Sequence, residues 1–342
     1  MKRDRLLVIG ARGPLGAEMT RTLRKMYGPL RVIAADRGPA NEGRSNEEPY
    51  EQVDVLDKMA LARIVSRYGI TQIYLLGSPQ IGTAGGPAGE LPTGIAHASG
   101  WHVHTESLRN ILELAVEKGI SKVFWPSTVA VFGSDGNRQK CRQTDSVKPL
   151  TSYGIGAAAR EFWSQYFWSQ HRVDVRSIRF PGIISHKTLP DREDIFDYVA
   201  AMFHAALRGQ EYACYLQENT ALSMIYLPDA IRATLELMET PTSAITVHNG
   251  YNINAMSFSP GELAEAIRKY VPNLQVSYQP DHRDSIAQKL PASVDDTVAD
   301  RDWDWEFAFS LPETVRHMLG QLSSTLDLKP EQVRQMQLPV LF

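Results

Sequence analysis

The chain is short of several things, and each shortage removes a class of function. It has two cysteines in 342 residues, Cys141 and Cys214. Two are too few for a disulfide framework or a thiolate zinc site, and the histidines have no carboxylate at ligand spacing, so no metal is expected. No apolar run approaches the ~20 residues of a membrane-spanning helix, so no membrane partner is expected. Neither sign of charge dominates: 36 Lys and Arg stand against 39 Asp and Glu, a formal net charge of −3. That balance gives no electrostatic reason to expect nucleic acid as a partner. Internal repeats and low-complexity tracts are missing as well. The opening residues lead straight into a buried-strand pattern, so no targeting segment is expected and the cytoplasm is the expected location.

What is present is ordinary globular composition, 43% hydrophobic and 22% charged, with length enough for two lobes or one large α/β domain. Short apolar runs alternate with helical periods: Leu6–Ile9, Leu30–Ala34, a run ending at Val53-Asp54-Val55, Gln72–Leu76 and Lys122–Trp125. Strands separated by helices of about 10 to 15 residues predict βαβ units and a parallel sheet, hence a Rossmann-type doubly wound α/β fold. Residues 1–180, with an interleaved segment near 221–250, are read as the dinucleotide-binding domain. Residues 181–342 are read mainly as a smaller substrate lobe, with helices near 192–207, 229–238 and 260–270 and an amphipathic tail from Pro312.

Gly10-Ala11-Arg12-Gly13-Pro14-Leu15-Gly16 lies between the first strand and the first helix. Glycines there permit a tight turn and let backbone N–H groups approach a pyrophosphate at a helix N-terminus. A glycine turn alone is weak evidence. Its position is stronger, because Asp36 follows Gly16 by 20 residues at the end of the second strand. A carboxylate there accepts hydrogen bonds from ribose hydroxyls and repels a 2′-phosphate, which favours NAD; Arg37 beside it leaves NADP as the alternative.

Pro126-Ser127-Thr128-Val129-Ala130-Val131-Phe132-Gly133 follows the fifth strand, and Thr151-Ser152-Tyr153-Gly154-Ile155-Gly156-Ala157 comes about 20 residues later. In these segments the chain resembles the extended short-chain dehydrogenase/reductases. It is most similar to their threonine dehydrogenase branch of UDP-galactose-epimerase-like type. Val173–Gly182, Pro228–Thr234, Met256–Pro260, Pro280–Arg283 and Pro291–Asp296 carry the closer match. The resemblance covers about residues 5 to 320 and implies roles. Tyr153 would exchange the proton of a substrate hydroxyl while hydride moves to or from a nicotinamide. Thr128, five residues before Gly133, would hydrogen-bond the same oxygen, with Ser127 as the neighbouring alternative. Gly10, Gly13, Pro14, Leu15, Gly16, Asp36, Arg37, Asp54, Val55, Leu76, Gly77 and Pro181 would line the cofactor. Ser78, Gln80, Ile183, Ile195, Phe196 and Leu290 would face a small amino-acid-like substrate.

The sequence departs from that pattern where it matters most. The lysine due four residues after Tyr153 is Ala157. A free phenol titrates near ~10, and a cation about 4–5 Å away at an effective dielectric near 20 is worth roughly 2–3 pKa units. Losing it impairs oxidation most, because oxidation needs tyrosinate as base. Three readings of Ala157 stay open: an engineered lysine-to-alanine change, a natural catalyst working chiefly in reduction or in a nonredox role, or a retired enzyme that only binds nucleotide. Arg160 lies on about the same helix face as Tyr153, and is read as a solvated or dimer-interface charge rather than a replacement for the lysine.

Other departures bear on substrate. Phe196 or Ile195 stands where the branch has a threonine hydroxyl, Leu290 where it has tryptophan, and His104 where it has asparagine. The segment from Gly77 to Ser99 is longer and richer in glycine and proline. A larger or less polar β-hydroxy or β-keto compound than threonine suits such a pocket. Besides an NAD-dependent oxidoreductase, two readings stand: a transient-redox epimerase or lyase, and a nonenzymatic nucleotide-binding paralogue. Apolar groups at Ile111, Leu112, Val116, Phe162, Tyr166 and Phe167 exceed what one core needs. The resemblance implies that the helices carrying them form a homodimer, with Trp163 and Trp168 read as interface or core.

Overall fold

The computed structural model describes residues 4–40, 48–77, 96–133, 138–188 and 195–326, with residues 96–103 described as backbone alone. Its first half alternates strand and helix: β1 Leu6–Ile9, α1 Pro14–Tyr27, β2 Val32–Asp36, β3 Tyr50–Gln52, α2 Lys58–Tyr68, β4 Gln72–Leu75, α3 Ala96–Lys118, β5 Lys122–Thr128, α4 Ser152–His171 and β6 Val175–Phe180. Then follow β7 Gly182–Ile184, α5 Asp197–Arg208, β8 Tyr212–Cys214, β9 Leu222–Tyr226, α6 Leu227–Glu239 and β10 Tyr251–Asn252. The chain continues through β11 Met256–Phe258, α7 Pro260–Arg268, β12 Val276–Tyr278, α8 His282–Ala287, α9 Thr297–Trp303 and α10 Leu311–Thr325.

Seven strands form one sheet in the order β10-β6-β5-β4-β1-β2-β3, and every pairing in it is parallel. The fold is the doubly wound Rossmann-type α/β architecture expected. Alternation along β1 explains why helices cover both faces. Leu6 and Val8 pack with Met19 and Leu23 of α1 and with residues of α6. Leu7 and Ile9 pack with Leu61 of α2 and Leu108 of α3. The strand order turns between β1 and β4, because β2 extends one way and β4 the other. In such sheets the ligand crevice opens at the carboxyl ends of the strands flanking that point.

A three-stranded sheet β11-β9-β7 and a two-stranded sheet β12-β8 build the smaller unit. Tyr198, Met202 and Phe203 of α5 pack there against Leu263 and Ile267 of α7 and Met318 and Leu319 of α10. Two boundaries differ from expectation in ways that touch the site. β3 stops at Gln52, so Asp54 and Val55 lie beyond it in a turn, where the Asp54 carboxylate accepts from the Leu56 N–H at 2.9 Å. β5 runs past Trp125 to Thr128. Its ladder with β4 ends at Phe124, while its ladder with β6 continues to Thr128. Pro126 therefore falls where one edge of the strand is no longer paired, the setting that tolerates proline.

A buried ion pair clamps this extended strand end to its neighbours. Glu161 of α4 and Arg179 of β6 are 2% and 1% exposed. The guanidinium donates from Nε to Oε1 at 2.9 Å and from Nη2 to Oε2 at 2.7 Å. Ser127 donates to the same Oε1 at 2.7 Å, and Arg179 also donates to the Asn252 side chain of β10 at 3.2 Å. Truncating Glu161 to alanine leaves the Arg179 charge stranded, and breaking such a pair typically costs about 3–5 kcal/mol. A Glu161→Ala chain should show that loss in a urea unfolding curve; an unchanged midpoint would mean the clamp contributes nothing.

Candidate active site

The glycine turn at the end of β1 is shaped by close contacts. Gly10 has φ +87°, and a Cβ on it would overlap the Gly77 backbone nitrogen. The turn and the end of β4 thus lie back to back, with Leu76 and Gly77 both donating to the Ile9 carbonyl, at 2.8 and 3.0 Å. A Cβ on Gly16 would overlap the Gly10 carbonyl oxygen, so α1 packs directly on the turn. Gly13 differs. Its φ of −69° suits any residue, and the nearest atom a Cβ would meet is 3.6 Å away. Neither backbone nor packing demands glycine there, and the missing side chain leaves the helix N-terminus open to approach.

That N-terminus has no side-chain cap and no acidic residue in its first turn, with Pro14 leading. Its orphan N–H groups and positive dipole end fit a pyrophosphate. Leu15 is partly buried against the sheet core beneath. Asp36 ends β2 beside the turn, accepting from the Arg12 N–H at 3.1 Å and the Gly38 N–H at 3.3 Å. Arg37 is exposed, and the Arg12 guanidinium lies over Gly38. Asp54 is exposed and Val55 half-buried in the turn after β3.

Tyr153 is the second residue of α4, whose cap Thr151 accepts from the Gly154 N–H at 3.0 Å. A Cβ on Gly154 would overlap the Ala130 carbonyl oxygen. The first turn of α4 therefore sits directly on the 3-10 turn Val129–Val131 that follows β5. Thr128 opens that turn and its Oγ1 accepts from the Ala130 N–H at 3.2 Å. This packing seats the helix turn that carries Tyr153 on the turn that Thr128 caps. Ser127 is not part of this contact, since its hydroxyl is buried and committed to Glu161. Tyr153 is 38% exposed.

Pro181 is buried between β6 and β7, and the Phe196 ring occupies the space a Cβ on Gly182 would need. Phe196 thus lies on the turn that follows β6. Ile183 is half-buried on β7, whereas Ile195 and Leu290 are buried in the core of the smaller unit. Ser78 and Gln80 lie outside the described residues, as does most of the segment from Gly77 to Ser99.

One expectation needs correcting. Arg160 is neither solvated nor at an outer face: it is 1% exposed. Its guanidinium stacks over the Trp125 ring at 4.4 Å, and Nη1 lies 3.5 Å from Nδ1 of His104. The His104 ring meets Tyr153 edge-on, with centroids 5.8 Å apart. Burial, with help from the Arg160 charge, lowers His104 to about 3, so its imidazole is neutral. Sequence reasoning missed this trio; its one signal was the seven-residue spacing from Tyr153 to Arg160. Ala157, one helical turn after Tyr153, is buried with Val129, Val131 and Phe132.

Of the apolar residues expected on a partner face, Ile111, Leu112 and Phe167 are core. Val116, Phe162 and Tyr166 are exposed, and so is Trp163. Trp168 stacks on His248 at 3.8 Å. No cluster of three metal-ligating side chains occurs among the described residues, and no described helix is long and apolar enough to cross a membrane.

A glycine turn at the switch point of a doubly wound sheet, a strand-end hydroxyl and a tyrosine on the next helix define a dinucleotide-dependent enzyme of the short-chain dehydrogenase/reductase class. The chain belongs to the NAD dependent epimerase/dehydratase family, whose pattern matches residues 6–253. It is 35% identical over 319 residues to the mitochondrial L-threonine 3-dehydrogenase of Bos taurus, covering 93% of this chain and 82% of that protein. The GalE-like L-threonine dehydrogenase from Cupriavidus necator in its holo form is 42% identical, with a TM-score of 0.86 over 93% of this chain and 99% of its own. A monomeric L-threonine 3-dehydrogenase of metagenomic origin is 34% identical, with a TM-score of 0.84 over 94% and 99%.

The seating of α4 has a direct test. A methyl at Gly154 must push the first turn, and Tyr153 with it, off the Ala130 carbonyl. If Tyr153 takes part in the reaction, a displacement near 1 Å there costs on the order of 10²-fold in rate. A Gly154→Ala chain should stay folded by circular dichroism and lose turnover on that scale; full turnover would show that Tyr153 does not depend on this contact.

Proposed function

We propose that this chain is an NAD-dependent oxidoreductase interconverting a secondary alcohol and a ketone on a small β-hydroxy or β-keto amino-acid-like substrate, in the manner of its threonine dehydrogenase relatives. The observation that supports the reading is the seating of the first turn of α4, which bears Tyr153, on the turn that follows Thr128 at the carboxyl end of β5. A bound nicotinamide supplies the hydride acceptor or donor. Thr128 orients the substrate oxygen, and the Tyr153 phenol gives or takes its proton. Reduction needs the protonated phenol, the form a tyrosine ordinarily holds at neutral pH; oxidation needs the tyrosinate.

Backbone N–H groups of the first turn of α1 from Leu15 onward would hold the pyrophosphate, since Pro14 has no N–H and that of Gly13 donates to the Gly10 carbonyl at 3.2 Å; Gly10 and Gly16 shape the turn beneath it. Asp36 would take the adenosine ribose hydroxyls, and its charge favours NAD over NADP. Asp54, Val55, Leu76, Gly77 and Pro181 complete the proposed cofactor wall. Ser78, Gln80, Ile183 and Phe196 are proposed to face substrate, with Ile195 and Leu290 supporting them from behind. Phe196 over Gly182 supports a substrate less polar than threonine, because an apolar ring leaves a substrate hydroxyl unmatched. In this reading residues 1–180 and about 221–250 serve the cofactor, and 181–342 mainly the substrate, in a cytoplasmic protein.

The exposed Phe162, Trp163, Tyr166 and Val116 support a homodimer through α3 and α4, although one relative of similar fold is described as monomeric.

Replacing Tyr153 with phenylalanine should cut turnover of β-hydroxy amino acids by roughly 10²–10⁴-fold, with NADH binding by fluorescence titration unchanged. Retained turnover would refute the assignment. Asp36→Ala should weaken NADH binding while improving NADPH binding; no change in their ratio would remove the ribose role. A Phe162→Asp/Tyr166→Asp chain should elute as a monomer in light-scattering chromatography if the unaltered chain is a dimer. A monomeric parent chain would end the dimer proposal.

A further inference from the structure

We propose that Arg160 is a positioning residue that supplies, from the interior of α4, the positive charge that Ala157 no longer provides, acting on Tyr153 across His104. The inference rests on Tyr153 being the proton-transfer group. Arg160 is buried, yet among the described residues no carboxylate pairs with it. Its guanidinium lies against the Trp125 face and one imidazole nitrogen, and its Nε and Nη2 have no hydrogen-bond partner among the described residues. Glu161, the adjacent carboxylate, is taken by Arg179 and Ser127. An isolated cation in a protein interior is costly unless something nearby favours its charge. Among the described residues, the ionisable group whose charge favours it is Tyr153. The attraction is mutual, so a cation stabilised by tyrosinate stabilises tyrosinate in return.

The local geometry suits this role. Seven residues separate Tyr153 from Arg160, about 10 Å of helix rise, and long side chains lean toward the helix N-terminus. His104 of α3 fills the gap: its ring packs beside Gly156, where a Cβ would lie 3.5 Å from it, and meets Tyr153 edge-on. Arginine has only donors, so in the contact with Arg160 the His104 Nδ1 is the acceptor and the ring proton sits on Nε2. The ring remains neutral at working pH, leaving Arg160 as the cation. Among the described residues, the titratable groups in this chain of contacts are Tyr153 and Arg160 from α4 and His104 from α3; the neighbouring Glu161 of α4 is paired with Arg179 of β6. A lysine at 157 would add a second cation one turn from Arg160, in surroundings that already lack an anion. Ala157 and Arg160 fit each other as a pair.

The test uses the whole chain free of cofactor, so its first readout does not depend on turnover. Tyrosinate absorbance is titrated, and the curve of a Tyr153→Phe chain is subtracted to isolate Tyr153. Arg160→Met, similar in length and uncharged, should move that titration up by about one pH unit or more. The rise of the alcohol-oxidation rate with pH should shift alkaline by the same amount, since oxidation draws on tyrosinate. Arg160→Lys should hold both near their original positions. Ala157→Lys alone should gain nothing, whereas Ala157→Lys/Arg160→Ala should recover the low titration, a non-additivity expected of two cations competing for one role. If Arg160→Met fails to fold, the comparison of that double variant with Arg160→Ala serves in its place. An unmoved Tyr153 titration with an inactive Tyr153→Phe chain overturns the role of Arg160 alone; an active Tyr153→Phe chain overturns the proton-transfer reading instead.

Discussion

The first turn of α4 rests on the carbonyl of Ala130, and that contact exists because residue 154 has no side chain. From it follow the position of Tyr153 and the orientation of the helix that carries Ala157, Arg160 and Glu161. A helix held this tightly at its N-terminus cannot rotate to relieve strain further along. Each residue on its inner face is therefore presented to a fixed neighbour: Ala157 to the turn after β5, Arg160 to Trp125, Glu161 to Arg179.

Two buried arginines on that inner surface show how differently one charge can be accommodated. Arg179 is neutralised by a bidentate carboxylate and bridges β6, β10 and α4. Arg160 has an aromatic face and a neutral imidazole instead. The first arrangement holds the sheet edge to the helix. The second leaves a positive charge with no carboxylate partner among the described residues, separated from the Tyr153 phenol by the His104 ring. Burial lowers Arg160 to about 9, which still leaves it charged at neutral pH.

The turn after β6 is governed by a different constraint. Gly182 lets the Phe196 ring lie on the turn after β6, while Ile195 beside it points its bulk into the core of the smaller unit. One residue's difference in position separates a side chain that lies on that turn from one in the core. The same distinction applies to Ser127 and Thr128: consecutive strand residues present their side chains to opposite faces, so one hydroxyl is tied to Glu161 and the other stays at the strand end.

The doubly wound sheet was legible in the sequence because a buried parallel strand must be apolar throughout, and its connecting helices must repeat at a helical period. The glycine turn between the first strand and the first helix, and Asp36 at the end of the second strand, were legible because a tight turn and a strand end have residue preferences at fixed separations along the chain. Whether Arg160 faces water or the interior was not legible. That depends on Trp125 and His104, which come from a strand and a helix distant in sequence, and on how α3 lies against α4. Periodicity places a residue on a helix face but does not say what covers that face. The tertiary structure decided it by stacking the guanidinium on an indole, turning an apparent surface charge into an interior one.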